Sequence, residues 1–170
     1  MLKYIDTKVT FSEVPDEITL CINITGCKIG CKGCHSPYLR ENKGTILNLE
    51  ELEKLIKKNK GITCVAFMGG DSEPLLIDAC AKYVKIIDKK LKTAWYSGNM
   101  EKHPHVDLKN LNYLKLGPYI EELGPLTSKT TNQRMYFIRE CYDIDGDKMS
   151  KGIVKEDITH KFWRNDKKEN

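Results

Sequence analysis

Residues 18–38 have the sequence ITLCINITGCKIGCKGCHSPY, which joins an alternating apolar stretch directly to a loop rich in glycine and cysteine. Leu20, Ile22 and Ile24 alternate with other residues, a pattern typical of a β-strand. In α/β proteins, functional groups follow the carboxyl ends of the strands, so this strand and its loop predict both a sheet and a site. The loop holds three cysteines in the spacing C-x-x-x-C-x-x-C: Cys27, Cys31 and Cys34.

The cysteine loop has the composition of an iron–sulfur site. Thiolates ligate both iron–sulfur clusters and zinc, and a structural zinc or an electron-transfer cluster usually takes four protein ligands. Three closely spaced cysteines leave one iron of a [4Fe–4S] cluster without a protein ligand, as substrate chemistry at a cluster requires. The alternative is a zinc knuckle with His35 as fourth ligand, although no second Cys or His pair completes it.

Length and composition indicate one soluble domain. The chain has 170 residues, of which 40% are hydrophobic and 31% charged, and its formal net charge is +4. We expect a single domain over residues 1–170, with a polar C-terminal tail from about residue 165. The weak charge does not indicate nucleic-acid binding. The sequence has neither a signal peptide nor an apolar span, so we expect a cytoplasmic protein with no membrane partner.

The other cysteines are scattered along the chain: Cys21, Cys64, Cys80 and Cys141. Disulfides are disfavoured in a reducing cytosol, and the total of seven cysteines is odd. Cys64 falls in an apolar strand and Cys80 on the apolar face of a helix. We therefore expect both to be core residues that behave as small hydrophobes.

Strands and helices alternate after the cysteine loop. Predicted strands cover residues 4–11, 18–24, 62–68, 93–96, 113–116 and 135–138, and a later hairpin turns at Asp145-Gly146 between 135–144 and 148–154. Helical spacing of apolar residues predicts one helix from Asn48 to before Gly61 and another from Pro74 to Ile87. A closed eight-fold barrel typically takes ~250 residues. We therefore expect an α/β fold with a partial, incomplete βα barrel on a parallel sheet.

Further glycine-rich or polar segments follow the predicted strands. They are Gly69-Gly70-Asp71, Ser97-Gly98-Asn99, Gly117-Pro118-Tyr119 and, after a polar loop, Asn132-Gln133-Arg134. A Gly-Gly pair alone also fits a simple strand-to-helix turn, and the second segment also fits a surface loop. The planar guanidinium of Arg134 is suited to gripping a carboxylate or phosphate, and Asn132 to binding backbone amides. The alternative is that these residues only fix the loop before the last strand.

Together the motifs over residues 20–134 resemble the radical S-adenosylmethionine (SAM) superfamily. The resemblance implies a [4Fe–4S] cluster on Cys27, Cys31 and Cys34, with SAM chelated to the fourth iron through its amino and carboxylate groups. One electron then cleaves SAM to methionine and a 5′-deoxyadenosyl radical. No catalytic residue is implied beyond the cluster ligands. Cofactor-binding roles are implied for Gly69, Gly70, Asp71, Ser97, Asn99, Asn132 and Arg134, the last two at either SAM or a partner peptide.

The last motif resembles one branch, the activating proteins of anaerobic ribonucleoside-triphosphate reductase. That branch has Asp-Gly-Pro-Phe or similar and then Ser-x-Asn-Gln-Arg, where this chain has Leu116 for the Asp and Thr130 for the Ser. The resemblance implies a glycyl-radical activase whose partners are the large reductase subunit and a flavodoxin- or ferredoxin-type electron donor. Two alternatives stay open: a small-molecule enzyme similar to the 7-carboxy-7-deazaguanine synthases, and a non-enzymatic iron–sulfur or zinc module.

Overall fold

The computed structural model describes residues 1–145 and 148–163. For residues 142–145 and 148–151 it describes the backbone only. The strands are β1 (Lys3–Thr10), β2 (Thr19–Ile24), β3 (Thr45–Ile46), β4 (Cys64–Met68), β5 (Lys92–Tyr96), β6 (Tyr113–Leu116), β7 (Arg134–Asp145) and β8 (Lys148–Asp157). The α-helices are α1 (Leu49–Lys58) and α2 (Pro74–Ile87). Within the described ranges, none of the helices has the length and apolar character needed to cross a membrane.

The eight strands form one mixed sheet in the order β3-β1-β2-β4-β5-β6-β7-β8. The central strands β2, β4, β5 and β6 are parallel neighbours. The outer strands pair antiparallel, β1 with β2 and β3, and β7 with β6 and β8. The fold is therefore mixed α/β with a mostly antiparallel set of pairings, and the expected parallel barrel is not confirmed.

A short connection explains the antiparallel pairing of β1 with β2. Parallel neighbours need a crossover of about a dozen residues or more, whereas antiparallel neighbours are joined by short turns. Only eight residues, 11–18, separate β1 from β2, which is too few for a crossover helix. In contrast, α1 lies between β2 and β4 and α2 lies between β4 and β5, and these pairs are parallel as predicted.

Each face of the central sheet has its own apolar core. Phe67 and Trp95 lie on one face and pack with the buried residues of α1 and α2, such as Leu52 and Ile77. Alternate residues face the other way and form a second cluster: Cys21, Cys64, Ala66, Ala94, Tyr113 and Met135, with Val14 and Ile158. Burial on both faces explains the unbroken apolar run of β4.

The helix starts agree with the sequence predictions. The Asn48 side-chain oxygen accepts a hydrogen bond from the Glu51 backbone N–H at 2.8 Å and caps α1. The Glu51 carboxylate accepts a hydrogen bond from the Tyr4 hydroxyl at 2.7 Å, rather than from the Asn48 backbone N–H as in a capping box. Pro74 is the first residue of α2, where its missing N–H costs nothing.

Among the remaining predictions some hold, one strand is missing and the others differ at the ends of elements. Cys64 and Cys80 are core residues as predicted, 0% and 3% exposed. The short strand β3 was not predicted, and β7 extends well beyond the segment 135–138. β7 and β8 form the predicted hairpin, but Gly146 of its turn lies outside the described residues. The polar tail from about residue 165 also lies outside them.

Candidate functional site

Four of the predicted motifs meet at the carboxyl ends of the central strands, because these four strands are parallel. The cysteine loop follows β2, Gly69-Gly70-Asp71 follows β4, Ser97-Gly98-Asn99 follows β5 and Gly117-Pro118 follows β6. The carboxyl ends of parallel strands lie side by side, and ligands of α/β sheets bind there. The structure thus brings together motifs that lie far apart in sequence.

A cavity of about 180 Å³ lies between the cysteine loop and the sheet. All three loop cysteines line it, and each is a free, half-buried thiol. The sheet contributes Asn23, Met68, Gly69 and Tyr96 to the wall. The cavity is therefore lined both by the predicted metal ligands and by Gly69 of the predicted Gly-Gly motif.

Hydrogen bonds fix the shape of the cysteine loop. The Cys27 backbone N–H donates to the Leu39 carbonyl at 3.0 Å, and the Arg40 guanidinium donates to the Cys31 carbonyl at 2.6 Å. The Ser36 backbone N–H donates to the Cys34 sulfur at 3.4 Å. Hydrogen bonds to ligand sulfurs are one of the means by which proteins tune iron–sulfur clusters.

Gly33 directly precedes the third loop cysteine, and the structure explains its small size. Its backbone has a φ of +69°, a conformation that side chains other than glycine rarely adopt. A Cβ at this position would come within 3.2 Å of the Glu121 carboxyl carbon. The three-residue 3₁₀ turn Glu121–Leu123 therefore packs against the loop at the point where a larger residue would project.

The residues present fit a [4Fe–4S] cluster with three protein ligands. Three thiols line one cavity, and one of their sulfurs already accepts a backbone N–H. Among the described residues, no group of three or more His, Cys, Asp or Glu side chains is arranged to hold a single metal ion. A four-iron cluster separates its thiolate ligands more widely than one ion does, so this finding and the shared cavity are compatible. His35 packs against the Tyr119 ring, with the centroids 5.1 Å apart.

Asp71 organises the turn after β5. Its carboxylate accepts hydrogen bonds from the Ser97 hydroxyl at 2.5 Å, the Gly98 backbone N–H at 3.0 Å and the Asn99 side-chain amide at 3.0 Å. The Ser97 hydroxyl in turn accepts a bond from the Asn99 backbone N–H at 3.1 Å. Three predicted cofactor-binding residues, Asp71, Ser97 and Asn99, thus form one hydrogen-bonded unit, with Asp71 as its centre.

Hydrogen bonds fix both carbonyl groups of the Gly-Gly turn. The Gly69 carbonyl accepts the Trp95 indole N–H at 2.8 Å, and the Gly70 carbonyl accepts the Glu73 backbone N–H at 3.0 Å. Gly70 has a φ of +89°, and a Cβ there would lie 2.5 Å from the Ile77 methyl group of α2. Each carbonyl keeps a second lone pair, so the turn retains acceptors for a polar ligand.

Asn132 and Arg134 do not line the cysteine cavity. The Asn132 side-chain amide donates to the Pro118 carbonyl at 2.9 Å, while its buried Oδ1 atom has no hydrogen-bond partner. The Arg134 guanidinium donates to the Thr131 and Gln133 carbonyls at 2.7 and 2.8 Å. These contacts favour the alternative that Arg134 fixes the loop before β7, and its role toward SAM or a partner stays a prediction.

Lys115 is a candidate site residue that the sequence analysis did not identify. It lies in β6, is only 9% exposed, and donates from Nζ to the Gly117 carbonyl at 2.6 Å. Burial lowers the pKa of Lys115 to about 8, against the opposing influence of Asp71 and Cys31. A single lysine inside the otherwise apolar strand Tyr113–Leu116 is the feature of the sequence that points to it.

The comparisons with known proteins agree with the cysteine chemistry. A model of the family described as the 4Fe-4S single cluster domain, which occurs in radical SAM-type proteins, matches residues 18–120. No curated protein and no solved structure shows a significant match. The matched segment begins just before β2, contains the cysteine loop and ends just beyond β6, which is the segment that builds the site. Because it spans more than half of the 170 residues, the chain belongs to the 4Fe-4S single cluster domain family.

Proposed function

We propose that the chain is a cytoplasmic radical SAM activase that reductively cleaves SAM and generates a glycyl radical on anaerobic ribonucleoside-triphosphate reductase. The observation that supports this most is the single cavity lined by three free cysteines, beside the Gly69-Gly70-Asp71 turn. Three thiolates, rather than four, are suited to a cluster that binds a substrate. The Asn132-Gln133-Arg134 motif supports the reductase branch in particular.

Cys27, Cys31 and Cys34 would hold the cluster, and the turns after β4 and β5 would hold SAM. Bound there, the two groups supply the chemistry of one-electron reductive cleavage. The chain's own contribution is to position polar groups before SAM arrives. Asp71 holds Ser97 and Asn99 in a fixed turn, and Trp95 holds the Gly69 carbonyl at the cavity wall. Preorganised polar groups lose less free energy on binding than mobile ones.

The proposed partners are the large glycyl-radical subunit and an electron donor of the flavodoxin or ferredoxin type. Support comes from the accessibility of the cysteine loop, since its three cysteines are only half-buried. The exposed Lys28 and Lys32 lie beside these cysteines and would attract an acidic electron donor.

The experiment is an anaerobic assay in two stages. The reconstituted protein is first reduced with dithionite in the presence of SAM, and 5′-deoxyadenosine and methionine are quantified. The reductase subunit is then added, and the glycyl radical is recorded by electron paramagnetic resonance (EPR). We expect both products and, in the second stage, the radical. Cleavage of SAM without a glycyl radical would favour the small-molecule alternative, and no cleavage at all even with the reductase present would refute the proposal.

A further inference from the structure

Lys115 is a positive charge placed inside the sheet rather than on its surface. Its side chain is 9% exposed, and Nζ donates one described hydrogen bond, to the Gly117 carbonyl at 2.6 Å. An ammonium group has three N–H donors, and burying it costs free energy unless a nearby negative group compensates. The side chain lies on the face of the sheet that carries Met68 and Tyr96, opposite the face of Leu114 and Leu116.

The register of the sheet brings Lys115 next to the cysteine cavity. Met68 pairs with Tyr96 across β4 and β5, and Tyr96 pairs with Lys115 across β5 and β6. Directly paired residues in a sheet point to the same face, so the three side chains form one row. Met68 and Tyr96 both line the cavity. Asp71 and Cys31 oppose the lowering of the Lys115 pKa by burial, which agrees with this position.

Burial determines how strongly such a charge acts. Two charges interact far more strongly in the low-dielectric interior than in water, where solvent and salt screen them. Lys28 and Lys32 are nearer to the cysteines in sequence, but both are exposed. Arg40 lines the cavity and donates to the Cys31 carbonyl, but it is exposed as well. Lys115 differs from these three cations in being buried beside the cavity.

We propose that Lys115 electrostatically tunes the [4Fe–4S] centre, raising its reduction potential so that the centre accepts an electron from a one-electron reductant more readily. On reduction, one electron enters, the net charge falls by one, and no covalent bond or proton is exchanged with Lys115. A fixed cation stabilises the more negative, reduced form more than the oxidised form. The proposal rests on the iron–sulfur centre alone, and it does not require SAM cleavage or the reductase.

A purely structural role for Lys115 gives a different expectation. If Lys115 served only to fix the Gly117 turn, a neutral side chain with an N–H donor would replace it. Lys115→Gln retains a donor and removes the charge, Lys115→Met removes both, and Lys115→Arg retains both. Lys32→Met is the matched control, because it removes the same charge beside the same ligand, Cys31, from an exposed position.

The test is the midpoint potential of the reconstituted full-length protein, measured by EPR-monitored redox titration without SAM. We expect Lys115→Gln and Lys115→Met to reduce the equilibrium constant for reduction by about tenfold, which is a shift of about 59 mV to more negative potential. Lys115→Arg and Lys32→Met should stay close to wild type. Circular dichroism and the iron content of each variant establish that it is folded and loaded.

Three results would overturn the proposal. The first is an unchanged potential in Lys115→Gln, and the second is an equal shift in Lys32→Met. The third is loss of the cluster from both neutral variants while Lys115→Arg keeps it, which would make Lys115 a structural residue. None of these results bears on the activase proposal, which is tested by deoxyadenosine and the glycyl radical. A failure of SAM cleavage would likewise leave the potential shift intact.

Discussion

Individual cysteines in this chain differ in accessibility and in acidity. Burial raises the pKa of Cys21 to about 12 and that of Cys80 to about 11, and it raises the pKa of Cys64 still further. These three stay protonated at neutral pH, and the thiolate is the form that reacts and binds metal. The loop cysteines and Cys141 are half-buried instead. Apart from Cys141, the accessible cysteines are the three that the spacing of the loop already indicated.

Alkylation of the cysteines tests this division. In the metal-free native protein, we expect iodoacetamide to modify the three loop cysteines and Cys141, and to leave the three buried cysteines unmodified. Loading the cluster should protect the loop and leave Cys141 as the main site. Peptide mass spectrometry identifies the modified residues, and denatured protein, in which all seven react, is the control. Fast labelling of Cys64 in the native protein would contradict the assigned burial.

Asp71 gives a second prediction at the level of single residues. Asp71→Asn weakens three hydrogen bonds at once, because an amide replaces a carboxylate that accepts from Ser97, Gly98 and Asn99. We expect the free energy of unfolding to fall by about 2 kcal/mol, as for loss of charge-assisted hydrogen bonds. Urea denaturation of the metal-free protein measures this. Ser97→Ala removes one of the three bonds and should cost less; an equal or larger cost would show that Asp71 is not the centre of the turn.

The secondary-structure elements were largely predictable because their signals are local. The alternation of residues 18–24, the apolar run before Gly69, the Asn48 cap and Pro74 each encode an element within a few residues. The two-residue strand β3 is too short to have a period. The antiparallel pairings of β3 with β1 and of β7 with β6 join segments that are far apart in sequence, and no local pattern specifies them.

The cap of α1 yields a prediction for a single element. The Asn48 side chain satisfies the Glu51 N–H at the start of the helix, so Asn48→Ala leaves that donor without its partner. We expect a loss of about 1 kcal/mol in the free energy of unfolding, measured by urea denaturation. Glu50→Gln, in the exposed first turn of the same helix, is the control and should change stability less. A cap substitution that changes stability no more than the control would contradict this account.

The site was predictable in part, because its residues follow strands that the sequence already indicated. Parallel strands bring their carboxyl ends together, so residues that follow each strand were expected to meet, and the cysteine loop, Asp71, Ser97 and Asn99 do meet at one edge. Lys115 was missed because its position beside the cavity depends on the register of β5 and β6. The contacts of Arg134 with its own loop were not visible in the motif either.

At the scale of the whole molecule, the two ends of the parallel strands have different roles. Opposite the cysteines, the buried carboxylate of Glu17 accepts hydrogen bonds from the Thr63 hydroxyl at 2.6 Å, the Lys92 ammonium at 2.5 Å and the Tyr113 hydroxyl at 2.9 Å. Residues from three segments of the sheet thus converge on one 5% exposed side chain. This end of the sheet carries a buried polar network, and the other end carries the proposed cluster site.

This separation predicts that the two ends respond independently to mutation. Glu17→Ala leaves its three partners without their acceptor, and we expect a loss of about 2 kcal/mol in the free energy of unfolding, as for loss of a buried, charged hydrogen-bond acceptor. The variant should still bind its cluster, because the cysteine edge lies at the far end of the strands. Thermal denaturation and iron content measure the two effects. Normal stability in this variant, or cluster loss from protein that remains folded, would contradict the separation.

The central claim, a three-cysteine [4Fe–4S] centre with an open iron that binds SAM, is tested most directly by EPR of the reconstituted, reduced protein with and without SAM. We predict about four irons per chain and a spectrum that changes when SAM is added, because SAM takes the position without a protein ligand. The double variant Cys31→Ala, Cys34→Ala should give no such spectrum. A spectrum insensitive to SAM, or a cluster that survives the double substitution, would contradict the account.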